Sequence, residues 1–226
     1  MNARQKILCL KVAKDIVAMS SDDNASQIPP MRREIVRTTL LVLLMLLCST
    51  NAWAGGKTKS KYTTQYDEYF RKYSKRCFGV NFDWRWFKAQ AIAESGLNEK
   101  AESWVKAKGL MQLMPGTFAD MKSRMPHLED IFEPRWNIAA GIYYDRLLWK
   151  MWETVEAFTD RMSFMFGRYN AGHRTLQKAQ EKAKELGHDE KAWNSIVTVA
   201  PEVSRWRHEE TLGYVERIHG LVEKVE

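Results

Sequence analysis

Among the carboxyl groups of this 226-residue chain, Glu94 stands where a proton donor could be built. The segment from Asp83 to Ser95 places Trp84, Phe87, Ala91 and Ile92 at helical spacing, with Asp83 suited to an N-cap and Gly96 to a left-handed stop. On that helix Glu94 lies one turn above Gln90 and Ala91 and two turns above Phe87, at the edge of the apolar face and in the last turn. Partial burial disfavours a carboxylate, and the negative end of the helix dipole repels it. A carboxyl held protonated near neutral pH is what protonation of a glycosidic oxygen requires. A surface glutamate at a frayed helix end would show the same spacing.

Other chemistry is poorly supported. His173 and His188 are too far apart, in unrelated segments, to form a metal pair, and no His or Cys residues fall at metal spacing. No metal or cofactor is expected. Cys77 has no clustered His or Cys partner and reads as a small buried hydrophobe.

Of the formal charge of +7, residues 1–54 carry +3, from seven Lys/Arg against Asp15, Asp22, Asp23 and Glu34. The remaining +4 makes the body mildly basic and attractive to an anionic polymer, whether nucleic acid or cell wall. The N-terminal segment discriminates further. Arg32, Arg33 and Arg37 precede an unbroken apolar run, Leu40 to Leu47, and Ala52-Trp53-Ala54 follows. A basic stretch, a short apolar core and a small-x-small site form a secretory signal peptide, and the run is shorter than the ~20 residues of a bilayer span. Residues 31–54 are therefore expected to be the signal peptide, with Met31 the initiator and 1–30 an upstream extension. Cys48 resembles a lipoprotein cysteine, but Leu47 stands where a small residue should precede it, so cleavage after Ala54 is preferred to lipid anchoring. Contact with the membrane is then limited to export, and nucleic acid is not an expected partner.

Residues 55–61 read as a flexible basic lead-in and 62–226 as one domain. The periodicity is helical nearly throughout. Tyr62, Tyr66, Tyr69, Phe70 and Tyr73 recur at helical spacing; Pro115 opens a helix reaching about Arg124; Glu133-Pro134-Arg135 leads into one ending near Trp152. Further helices are expected at about 155–170, 173–186 and 209–225. The class is mainly α (α+β), with a small β-hairpin allowed around 103–113. Most of the tryptophans fall on apolar helical faces and read as core; Trp104, in the loop between Glu94 and Gly109, is the exception.

The blocks Glu94-Ser95-Gly96-Leu97-Asn98, Ala101-Glu102-Ser103, Gly109-Leu110-Met111-Gln112-Leu113-Met114-Pro115, Asn137-Ile138-Ala139-Ala140-Gly141-Ile142-Tyr143-Tyr144, Tyr169-Asn170-Ala171-Gly172 and Glu210-Thr211 with Tyr214-Val215 occur in a fixed order. Together, over about residues 80–218, they resemble the soluble lytic transglycosylase family, the bacterial branch of the lysozyme-like folds. The resemblance implies a lysozyme-like single domain with Glu94 as catalytic acid. It implies that Ser103, Gln112 and Met114 line the saccharide groove. Tyr169 and Asn170 would stand beside the acid, the Tyr169 hydroxyl helping to set its proton, and Tyr144 would close its block. Asn137, Gly109, Gly141 and Gly172 look structural. The chain departs from the family pattern at Leu97-Asn98-Glu99, at Trp104-Val105-Lys106 and at His173.

The implied activity is cleavage of peptidoglycan glycan strands in the periplasm by one carboxyl, forming 1,6-anhydro-N-acetylmuramic acid. Two alternatives stay open: a lysozyme-type hydrolase with a second carboxylate from Glu99, Glu102 or Asp120, or an inactive wall-binding protein. N-terminal sequencing of the protein from a periplasmic fraction should begin at Gly55. An intact 1–54 segment, or lipid on Cys48, would contradict the export reading.

Overall fold

The computed structural model describes residues 61–225; the expected signal peptide, the Ala54 cleavage site, Cys48 and most of the basic lead-in lie outside the described residues. Eight α-helices follow one another among the described residues: α1 (Asp67–Phe78), α2 (Arg85–Ser95), α3 (Pro115–Arg124), α4 (Pro134–Met151), α5 (Phe158–Ala171), α6 (His173–Glu185), α7 (Trp193–Val199) and α8 (His208–Val222). A 3-10 turn, Ala200–Glu202, links α7 towards α8. None of these helices is long and apolar enough to cross a membrane.

Local chemistry sets the boundaries. The Asp83 carboxylate accepts from the Arg85 backbone N–H at 3.0 Å and grips the Arg85 guanidinium at 2.7 Å, which fixes the start of α2. Gly96 ends it in the left-handed region, its N–H donating to the Ile92 carbonyl. Pro115 and Pro134 occupy first-turn positions, and the Glu133 side chain caps α4 by accepting from the Trp136 N–H at 3.0 Å.

The first aromatic segment is helical only from Asp67, not from Tyr62. The Thr63 hydroxyl accepts from the Gln65 N–H at 3.2 Å, a local bond that competes with helix formation. The expected hairpin reduces to two isolated bridges, Glu102 with Lys108 and Lys108 with Leu113, with no strand among the described residues. Positive φ angles at Lys106, Gly109 and Gln112 turn the chain too often for a ladder to extend. Helix α7 was not expected: at seven residues it is too short for its Trp193, Ile196 and Val199 spacing to stand out.

Helix α2 packs against α8 and α1, α1 also lies along α4, and α5 touches α4, α6, α7 and α8. Between α1 and α2 a fully buried Lys88 meets Asp67 at 2.6 Å; in so dry a setting either charge alone would be costly. At the other end, buried Asn137 of α4 organises the Gly109–Leu113 segment. Its Oδ1 accepts from the Met111 N–H at 2.8 Å, and its Nδ2 donates to the carbonyls of Lys108 at 3.0 Å and Ile131 at 2.7 Å. A side chain at Gly109 would collide with that amide, and one at Gly141 with the Met111 side chain, so both glycines permit close approach.

Asn137→Ala would leave three backbone groups without this partner. It should lower stability by at least about 2 kcal/mol in urea unfolding; a loss below about 0.5 kcal/mol would contradict the bracing role.

Candidate active site

Glu94 sits in the last turn of α2, where α8 crosses. The buried Tyr214 of α8 donates its hydroxyl proton to Glu94 Oε1 at 2.6 Å. Ser95, the next residue, donates to the Leu110 carbonyl at 2.8 Å, and Tyr169 of α5 donates to the Met111 carbonyl at 2.7 Å. With Asn137 holding the Met111 N–H, three helices fix the Gly109–Leu113 segment beside the acid. The Tyr144 ring of α4 lies 5.3 Å from the Tyr169 ring, centroid to centroid.

Glu94 is half-buried. Burial raises its carboxyl pKa to about 7, against the opposing pull of the Tyr214 hydrogen bond and the Arg217 charge. Tyr214 and Tyr169 are held well above the ordinary phenol range, first by burial and then by neighbouring carboxyl charge, so both remain donors. A second carboxyl acts on the site from behind. Asp145 of α4, fully buried, is raised well above the usual carboxylate range by burial and by the charge of Glu94. Its Oδ1 accepts from Gln90 Nε2 at 3.3 Å, and Gln90 lies one turn before Glu94 on α2.

The other expected site residues divide. Met114 is exposed at the start of α3, and Tyr144 is half-buried beside Tyr169. Gln112 turns inward: its Nε2 donates to the carbonyls of Ala101 at 3.2 Å and Gly109 at 2.9 Å. The Ser103 hydroxyl accepts from the Ala107 N–H at 3.0 Å and so closes its own loop. Asn170 Oδ1 accepts from the Thr211 hydroxyl at 2.8 Å, and Thr211 in turn accepts from the Trp206 indole at 3.0 Å; this chain ties α5 to the start of α8. The Tyr169 hydroxyl donates to the Met111 carbonyl, while the hydroxyl bonded to the Glu94 carboxyl is that of Tyr214.

Neither Tyr214 nor Asp145 was singled out from the sequence. Tyr214 was visible as part of the last block, and Asp145 as a carboxyl on the Ile138, Ile142, Leu148 face of α4. Of the expected second carboxylates, Glu99 accepts from the Tyr66 hydroxyl at 2.8 Å, Glu102 pairs with Lys106 at 3.1 Å, and Asp120 is exposed on α3. Among the described residues no group of three His, Cys, Asp or Glu is placed to hold a metal. Cys77 is unpaired, and burial pushes its thiol up to about 11.

The sequence model of the Transglycosylase SLT domain matches residues 68–192, more than half of the chain. The chain belongs to the SLT transglycosylase family. Membrane-bound lytic murein transglycosylase F of Desulfosudis oleivorans is 31% identical over 148 residues, covering 61% of this chain and 32% of the relative. The chain thus spans about a third of the length of the curated relatives it matches. Lytic transglycosylase Slt of Pseudomonas aeruginosa, solved as an inactive mutant with glutamine in place of a glutamate, superposes with a TM-score of 0.57 at 19% identity, over 78% of this chain and 26% of that one. The 70 kDa soluble lytic transglycosylase of Escherichia coli gives 0.53 at 23% identity, over 73% and 24%. These SLT neighbours establish a mainly α, lysozyme-like fold.

Tyr214→Phe removes the hydrogen bond that favours the ionised form, so Glu94 should titrate above about 7 by carbon NMR of its carboxyl; an unchanged or lower value would contradict the geometry. Glu94 itself binds its proton more tightly folded than unfolded, so its favourable contribution is complete below the ordinary glutamate range and is lost as pH rises towards 7. Glu94→Gln should therefore be more stable than wild type at pH 8, by on the order of 1–3 kcal/mol, and no more stable at pH 4. Equal thermal stability at pH 8 would contradict the burial cost.

Proposed function

We propose that this chain is an exported peptidoglycan lytic transglycosylase that cleaves the β-1,4 bond between N-acetylmuramic acid and N-acetylglucosamine. The observation that carries the reading is a glutamate whose proton is retained to about pH 7 by burial, with a phenol locked on its carboxyl. A proton donor works best with a pKa near the working pH. Family membership supplies the substrate class, and the inactive glutamine mutant of the Pseudomonas relative fits a single essential glutamate.

In the proposed reaction the Glu94 carboxyl protonates the glycosidic oxygen, and that bond breaks. The N-acetyl carbonyl of the muramyl residue assists at the anomeric carbon. Glu94, now a carboxylate, takes the proton from the C6 hydroxyl of the same sugar as its oxygen bonds to the anomeric carbon, closing the 1,6-anhydro ring. Proton and oxygen balance within the substrate, and no water is consumed. Tyr214 holds the carboxyl in place through both transfers and steadies its charged state. Met114, Tyr144 and the free carbonyl of Gln112 face the saccharide in this reading, while Ser103, Tyr169 and Asn170 shape the loop and helix ends around it.

Most glycosidases use two carboxyl groups. A hydrolytic route would need a second one in contact with the attacking water. Asp145 is near but fully buried, and Glu99 and Glu102 are engaged elsewhere. The product decides between the routes. Mass spectrometry of muropeptides released from purified sacculi should show 1,6-anhydromuramic ends, lighter by one water than hydrolytic ends; reducing-end muramic acid as the main product would overturn the transglycosylase reading.

A further inference from the structure

Trp104 is the one described tryptophan whose side chain has no partner. Its relative exposure is 86%, and the next residue, Val105, is exposed as well. Every other described tryptophan stacks on a ring or a cation, as Trp86 does on Phe158, Trp152 on Phe164 and Trp84 under Arg71; no such contact or hydrogen bond involves Trp104. A singly exposed apolar side chain is ordinary on a protein surface, but an indole offers there a large flat apolar face with an electron-rich π system.

The backbone that carries this ring is tightly closed. The Ser103 N–H donates to the Ala107 carbonyl and the Lys106 N–H to the Ser103 carbonyl, both at 2.9 Å, while the Ser103 hydroxyl accepts from the Ala107 N–H. Lys106 takes a φ of +69°, and its ammonium pairs with Glu102 across the turn. Below the tip, the Ala101 carbonyl accepts from the Gly109 N–H at 2.9 Å and from the Gln112 amide. The same Gly109–Leu113 segment is bonded to Ser95, the neighbour of Glu94. Hydrogen bonds therefore tie the Trp104 turn to the Gly109–Leu113 segment, and that segment to Ser95, the chain neighbour of Glu94.

We propose that Trp104 is a saccharide-stacking platform that holds a pyranose ring of the glycan strand at a distance from the scissile bond. This rests on the peptidoglycan reading above. The C–H face of a pyranose is apolar and flat enough to lie on an indole, whose π face attracts its weakly positive hydrogens. A glycan strand long enough to pass Glu94 offers successive rings to a platform braced on the same Gly109–Leu113 segment. The Trp104–Val105 pair alone is too small an apolar surface for bilayer anchoring, which relies on a whole amphipathic face. Because the stack is made equally in the bound substrate and the transition state, it acts on binding rather than on the chemical step.

Kinetics on soluble glycan strands with the full chain test this. Trp104→Ala should raise KM by about three- to tenfold, the range of an aromatic contact, with kcat within about twofold and thermal stability unchanged. Trp104→Phe, which keeps a ring, should recover most of the loss. An unchanged KM, or a fall in kcat alone, would overturn the proposal. Co-sedimentation with insoluble peptidoglycan reads the same contact without catalysis: equal binding by wild type and Trp104→Ala overturns it, whatever the activity. Loss of binding to phosphatidylglycerol vesicles with KM unchanged would assign the tip to a membrane and overturn it too. If wild type releases no muropeptides but Trp104→Ala still binds the wall less well, the cleavage reading fails and the platform stands.

Discussion

Withdrawing a carboxyl group from water penalises its ionised form far more than its acid form, and the surroundings of Glu94 are organised around that difference. Burial favours the acid form of Glu94. Tyr214 and Arg217 pull the other way by favouring the carboxylate, and the balance falls near neutrality. The remaining polar groups near the acid add no cation that would empty it. Tyr169 and Tyr214 stay protonated, and burial also favours the neutral form of Asp145. In the proposed reaction Glu94 first releases a proton and then recovers one, and this balance keeps both states within reach.

Such a balance survives only if the carboxyl does not move, and the fold supplies the stiffness. Helix α2 is anchored to α1 by the Lys88–Asp67 pair and crosses α8, which carries Tyr214. The Gly109–Leu113 segment has no ladder to hold it, so side chains from α2, α4 and α5 do so instead. Hydrogen bonds to backbone groups are well suited to that task, because each satisfies a buried polar group that a loop would otherwise leave unpaired. The glycines at 109 and 141 let these elements meet at backbone distance.

Helix α2, its stop at Gly96, and the proline-led starts of α3 and α4 were legible in the sequence because each depends on residues within one turn of the boundary. The placement of Glu94 at the edge of an apolar face was legible for the same reason. What escaped was long-range. Tyr214 is 120 residues from Glu94, and only the packing of α8 on α2 brings them together; the carbonyl that the Tyr169 hydroxyl meets is likewise one that no sequence pattern could locate. Gln112 and Ser103 have residue types that suit sugar binding, but local turns claim their donors or acceptors. Trp104 was legible as an exception because no apolar periodicity surrounds it.

The most direct test of Glu94 as the proton donor is release of muropeptides from purified sacculi by Glu94→Gln. The amide keeps the shape and can still accept from Tyr214, but it cannot supply an acid proton. Activity should fall by at least about a thousandfold, each tenfold being ~1.4 kcal/mol of barrier, while the circular dichroism spectrum is unchanged. A folded variant retaining more than about a tenth of wild-type activity, against that thousandfold expectation, would show that the proton comes from another group.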